Sequence, residues 1–162
     1  MYSPLAPSVA FTPVDPKLIR INRLIDLMLS IPLIVGLVAL SLTVWSNHPW
    51  TWVFPVLIAA VTAWDMVMDP RRVRATGYAE LTDELVIAKG IMFRKVEVIP
   101  YGRMQQVTVS AGPLLHRYGL AKVKLVTASA GTDSEIPAVP RDEAERLRVK
   151  LTALGEANME GL

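Results

Sequence analysis

Two continuous apolar runs dominate the pattern of hydrophobic and polar positions. The first covers residues 24–45. Ser46, Asn47, His48 and Pro49 interrupt it, and a second run covers 50–68. A helix rises about 1.5 Å per residue, and a bilayer core of about 30 Å needs about 20 residues to cross. Each run therefore predicts a membrane-spanning helix, and the short break between them predicts an antiparallel hairpin. Beyond residue 70 the pattern changes to short alternations. These predict strands over 77–81, 85–88 and 95–99, with Val96 and Val98 on one face and Glu97 on the other. Val107 and Val109 mark a fourth strand, Val123 and Leu125 a fifth, and Glu135 and Ile136 a further short one. Residues 113–119 read as an irregular or briefly helical connection, and 128–133 as a polar turn. Pro140 then opens a helix. Asp142 and Glu143 suit the positive end of its dipole, and Ala144, Leu147, Leu151 and Leu154 form a single apolar stripe. The soluble part is expected to be a bent antiparallel sheet closed by one amphipathic helix, an α+β domain.

Residues 1–16 hold Pro4, Pro7, Pro13 and Pro16 and read as an extended, mobile tail. The expected organisation is this tail, a transmembrane hairpin over 17–70, a domain over 71–155 and a short C-terminal tail over 156–162. Pro32 and Pro55 fall inside the two predicted spans, where neighbouring groups must satisfy the freed carbonyls.

Charge sets the expected orientation. Lys17, Arg20 and Arg23 precede the first span, Arg71, Arg72 and Arg74 follow the second, and the loop between carries no Lys or Arg. Short basic flanks stay cytoplasmic, so both termini are expected in the cytoplasm, with Trp45, Trp50 and Trp52 at the outer interface. The net charge of +2 gives no case for nucleic acid. The absence of cysteine excludes disulfides, a thiolate nucleophile and a Cys-based zinc site. The first run is long, starts deep in the chain and is followed by no small-residue cleavage pattern, which argues against a cleaved signal peptide.

Three segments of the soluble part then stand out together. The first is Tyr78-Ala79-Glu80-Leu81-Thr82-Asp83-Glu84-Leu85-Val86-Ile87 with Gly90. The second is Ile99-Pro100-Tyr101-Gly102-Arg103-Met104-Gln105-Gln106-Val107. The third is Gly112-Pro113-Leu114-Leu115-His116-Arg117-Tyr118-Gly119-Leu120-Ala121. In this order, behind two transmembrane helices, they resemble the bacterial pleckstrin-homology-like (PH-like) domains of the YdbS type. Met104 stands where that family usually has Ile, and Tyr101 where Leu is common. The resemblance implies a strongly bent antiparallel sheet of about seven strands capped by a C-terminal helix. It also makes a homo-oligomer an expectation. It supplies no catalytic activity and no agreed ligand, and a fold does not by itself carry a function.

No catalytic constellation, cofactor motif or metal spacing is present. His48 and His116 lack partners at ligand spacing, and there is neither a glycine-rich phosphate loop nor a nucleophile elbow. Binding surfaces remain. Lys89, Ile91, Met92, Phe93, Arg94 and Lys95 form a basic and apolar hairpin tip that could dip into an anionic bilayer surface. The alternative, which the sequence favours, is that Ile91 and Phe93 pack on the core. Arg71, Arg72 and Arg74 offer a second basic cluster, already explained by hairpin orientation. Arg103, Gln105 and Gln106 suit either a partner edge or the capping of a bulge. The basic side chains of the closing helix read as a solvated face. Asp26 and Asp65 are expected at a common depth near the cytoplasmic ends of the helices, with Asp69 close by. They read either as interfacial carboxylates beside arginines or as part of an ion or proton path.

The expected function is that of a non-enzymatic membrane-anchored docking or assembly module. Its partners would be membrane lipids and a protein, either another membrane protein or its own copies, with no small-molecule substrate. The alternatives are an accessory subunit of a transport or export complex and an ion or proton path.

Overall fold

The computed structural model describes residues 2–3, 6–43, 49–127 and 134–160. The chain divides into two units. One joins residues 1–18 to 72–162, and the other is 19–71.

The helical unit consists of α1, Lys17–Thr43, and α2, Val53–Arg74, the latter entered through a 3-10 turn at Pro49–Trp52. Both helices are long and apolar enough to cross a bilayer. They extend past the apolar runs into the flanking basic segments, because the backbone bonds of a helix do not stop where its side chains become polar. Asp15 starts α1. Its Oδ1 accepts from the Lys17 backbone N–H at 2.8 Å, an N-cap followed by Pro16 at the first helical position. Pro55 lies in the first turn of α2, where its missing N–H is no loss. Pro32 is internal to α1, and Pro70 is internal to α2. Trp50 and Phe54 meet edge to face at 5.9 Å. Trp45, His48 and the loop around them lie outside the described residues.

The other unit is built of antiparallel strands. Short strands β1, Tyr2–Ser3, and β2, Ala6–Ala10, pair with each other. A four-stranded sheet follows the order β3 (Thr12–Pro13), β4 (Gly77–Glu80), β5 (Glu84–Lys89), β6 (Lys95–Pro100). A three-stranded sheet follows the order β7 (Met104–Ser110), β8 (Leu120–Thr127), β9 (Ser134–Pro140). A 3-10 turn, Tyr101–Arg103, joins the two sheets, and a short helix α3, Pro113–Arg117, links β7 to β8. Helix α4, Arg141–Glu160, lies against β7, β8, β9 and the 3-10 turn. This is the expected bent sheet of four and three strands capped by a C-terminal helix. The expected polar turn at 128–133 lies outside the described residues.

The core follows strand register. Leu85 and Ile87 on β5, Val123 and Leu125 on β8, Ile136 on β9 and Leu147 and Leu151 on α4 are all fully buried. Tyr101 is fully buried as well, and its hydroxyl donates to the Leu81 carbonyl at 2.9 Å. That bond explains how a tyrosine fits in the core: the ring fills it and its one polar atom is satisfied.

The structure departs from the expected tail over 1–16. Thr12 pairs with Tyr78 and Pro13 with Gly77. Val14 N–H donates to Thr76 O at 3.3 Å, and Asp15 N–H to Ala138 O at 3.0 Å. Phe11 is buried with Ala79, Val86 and Ala88, and Val96 packs against them. The second face of the four-stranded sheet is thus covered by Phe11 over β4 and β5, while Val98 on β6 stays exposed. Proline does not prevent this, because Pro13 lies on an edge strand. Gly77 permits the approach: a Cβ there would meet Thr12 O at 2.9 Å.

Candidate docking surfaces

The β5–β6 turn projects the most exposed large apolar side chains of the domain. Lys89 and Lys95 close the ladder, and residues 90–94 form the tip. Gly90 has φ +95°, and a Cβ there would collide with Phe93 O, so the turn depends on glycine. Met92 is 84% exposed and Phe93 85%, and Ile91 is also exposed. The expectation that Ile91 and Phe93 pack on the core is corrected. The tight turn holds Met92 and Phe93 out in solvent and leaves Ile91 partly open. The bases beside them are not equivalent. Lys95 Nζ pairs with Glu97 at 2.8 Å and Lys89 Nζ lies 3.8 Å from the same carboxylate. Burial pushes the Glu97 carboxyl up, but the Lys95 hydrogen bond and the neighbouring positive charges outweigh it and hold it below the usual range. Arg94 is exposed and makes no ion pair among the described residues.

A second surface lies between β7 and α4. Register shifts between Met104 and Gln106, so Gln105 is an extra residue and both glutamines are exposed. They line a cleft of about 300 Å³ with Met104 and Val107, facing Arg148, Leu151, Thr152, Gly155 and Glu156 of α4. Arg103, exposed on the 3-10 turn, does not line it. Of the two roles considered for these glutamines, the structure shows the bulge, and it lies on an edge strand. Arg148 is bound to Glu145 one turn back, at 2.5 Å.

The outer face of α4 is not simply solvated. Arg146 bonds Glu143 at 2.6 Å and also Glu80 on β4, and Lys150 bonds Glu80 at 2.6 Å. The Tyr78 hydroxyl donates to Glu143 at 3.1 Å. Burial, then the charge of Glu143, push the Tyr78 phenol well up. Burial opposes ionisation of Glu80, but the hydrogen bonds from Arg146 and Lys150 hold its carboxyl low. This network ties the closing helix to the first sheet. Spacing alone could not show it, since Glu80 and Arg146 are far apart in sequence. Nearby, Arg141 Nη1 lies 3.3 Å from His116 Nε2.

In the helical unit, Asp26 and Asp65 line one cleft of about 210 Å³ with Ser30, Thr62 and three apolar residues. The structure therefore brings the two carboxylates together as an antiparallel hairpin should, while Asp69, buried on α2, does not line the cleft. The basic cluster forms the last turns of α2, where Arg71 reaches Met68 Sδ at 3.9 Å and Arg72 and Arg74 are exposed. Cations there complement the negative end of the helix dipole.

Comparison with known proteins agrees with this geometry. The bacterial PH domain family matches residues 26–154. The chain is 30% identical over 145 residues to a Bacillus subtilis (strain 168) protein called UPF0699 transmembrane protein YdbS, covering 87% of this chain and 90% of that one. No solved structure matches significantly.

Proposed function

Because the chain belongs to the bacterial PH domain family, and is a YdbS-like membrane protein within it, we propose that it is a non-catalytic docking module held at the cytoplasmic face of a bacterial inner membrane. The β5–β6 tip engages the anionic bilayer surface, and the β7–α4 cleft receives a protein partner or a second copy. The observation that carries the reading is the exposure of Met92 and Phe93 beside Arg94 and Lys95. Two large apolar side chains in water on a tethered domain are favoured to enter the interface, and Arg94 adds about 1 kcal/mol against anionic lipid. The pairing of β3, before α1, with β4, after α2, supports placing both ends of the hairpin on one side of the bilayer. The basic flanks support the cytoplasmic side.

The test uses the absence of cysteine. Met92→Cys provides a single site for a spin label in the reconstituted full chain. In anionic liposomes the label is expected to be reached by oxygen and shielded from a water-soluble nickel reagent, and Arg94→Ala with Lys95→Ala should reverse this. A label equally open to the nickel reagent in anionic and zwitterionic liposomes would rule out insertion of the tip.

A further inference from the structure

The hairpin cleft is built from oxygen. Asp26 and Ser30 lie one turn apart on α1, Thr62 and Asp65 three residues apart on α2, and all four line the same space with Leu29, Leu33 and Ile58. Each pair shares a helix face. Asp26 lies less than one turn inside Arg23 and Asp65 less than two turns inside Arg71, so both carboxylates sit at the charged ends of the apolar runs.

Ser30 points to a ligand. It is only 8% exposed, yet its hydroxyl has no hydrogen bond among the described residues. Helical hydroxyls in lipid usually donate to the carbonyl four residues back. Thr43 does so to Ala39 at 2.8 Å, and Thr62 to Ile58 at 2.9 Å. Thr62 keeps its acceptor lone pairs, while Ser30 keeps its whole hydroxyl. Asp26, half-buried, also makes no hydrogen bond or ion pair among the described residues. Asp65 already has an interaction of its own, and a carboxylate has about four acceptor positions, so it can still contribute charge and a lone pair.

We propose that this cleft binds a small hard metal cation of the sodium or calcium kind, with Asp26 as principal ligand, Ser30 and Thr62 as neutral oxygen ligands and Asp65 as the second negative charge. Two carboxylates sharing one cleft are costly unless neutralised. Hard cations take oxygen ligands of this mixed type. The donor set is all acceptor and carries net negative charge, which excludes an anion. Leu29, Leu33 and Ile58 complete the lining. A binding site needs no continuous pathway, so two helices suffice where they would not enclose a pore. The site is independent of the lipid-facing tip.

The experiment is equilibrium dialysis of the full-length chain in nanodiscs of zwitterionic lipid, in choline chloride, against ²²Na⁺ or ⁴⁵Ca²⁺. The wild type is expected to retain one of these ions, one per chain. Asp26→Asn should abolish retention, Ser30→Ala should weaken it about tenfold or more, and Asp83→Asn in the soluble domain should leave it intact. Retention of neither ion by the wild type overturns the proposal, as does equal retention by Ser30→Ala, which holds even where Asp26→Asn fails to insert. Discs containing two chains that separate on Asp26→Asn, with no ion retained, would instead assign the cleft to helix–helix contact and overturn it too.

Discussion

Helices α4 and α1 are both rich in leucine and use it in opposite ways. On α4, Ala144, Leu147 and Leu151 form one stripe and are fully buried, while charged residues occupy the other faces. On α1, Leu29 is 69% exposed, and Met28, Ile31, Leu33 and Val35 are exposed with it. Its buried positions are Ile21, Ser30 and Ser41. In water the α1 arrangement would forfeit about 25 cal/mol for each Å² of apolar surface left wet. In hydrocarbon it forfeits nothing, because lipid tails are as apolar as leucine. Helices there meet through small and polar residues instead. Burial therefore ranks residues by importance only with respect to the solvent each face meets.

The sharpest break in that contrast is expected at Phe11, which lies in the water-facing unit although it precedes the membrane helices. Phe11→Ala should destabilise the domain by about 3–5 kcal/mol, seen as faster hydrogen exchange of β4 and β5 amides. Unchanged protection would return residues 11–15 to the status of a tail. Next comes a matched pair. Leu147→Ala is expected to cost about 2–5 kcal/mol and Leu29→Ala less than about 0.5 kcal/mol. Equal losses on thermal unfolding would break the comparison outright. Asp15→Ala, at the junction, should cost about 1 kcal/mol and fray only the first turn of α1, read from the exchange of the Lys17 and Leu18 amides.

The smallest effect is electrostatic. The Glu80 carboxyl is held low in the folded chain, so its contribution is present above the ordinary glutamate range and is lost as pH falls through the folded value. Since Glu80 is partly open to solvent, this amounts to no more than about 1 kcal/mol. Domain stability should decline with acidification below the usual glutamate range, and Glu80→Gln should flatten that slope while lowering stability at neutral pH.

The hairpin and the closing stripe were legible because each depends on one solvent and one period. Apolar length alone marks 24–45 and 50–68, and spacing of three and four marks Leu147 and Leu151. The strands were legible because β5, β6 and β8 alternate or run apolar between turn residues. Phe11 was not legible: nothing in a proline-rich segment shows that Gly77 leaves room for a strand beside it. The fate of Ile91 and Phe93 was not legible either, since it depends on the tight path that Gly90 sets for the turn. The cleft partners of Gln105 and Gln106 come from α4, a contact distant in sequence. That Asp26 and Asp65 line one cleft follows from the hairpin, whereas the unbonded hydroxyl of Ser30 was not legible.

The strand Thr12–Pro13 is synthesised well before its partner Gly77–Tyr78, and both membrane segments are made between them. During translation the first edge of the sheet must wait, unpaired, until both apolar helices have been made. The domain therefore cannot close its sheet from a chain that ends before β4, and folding of this edge waits on the whole helical segment.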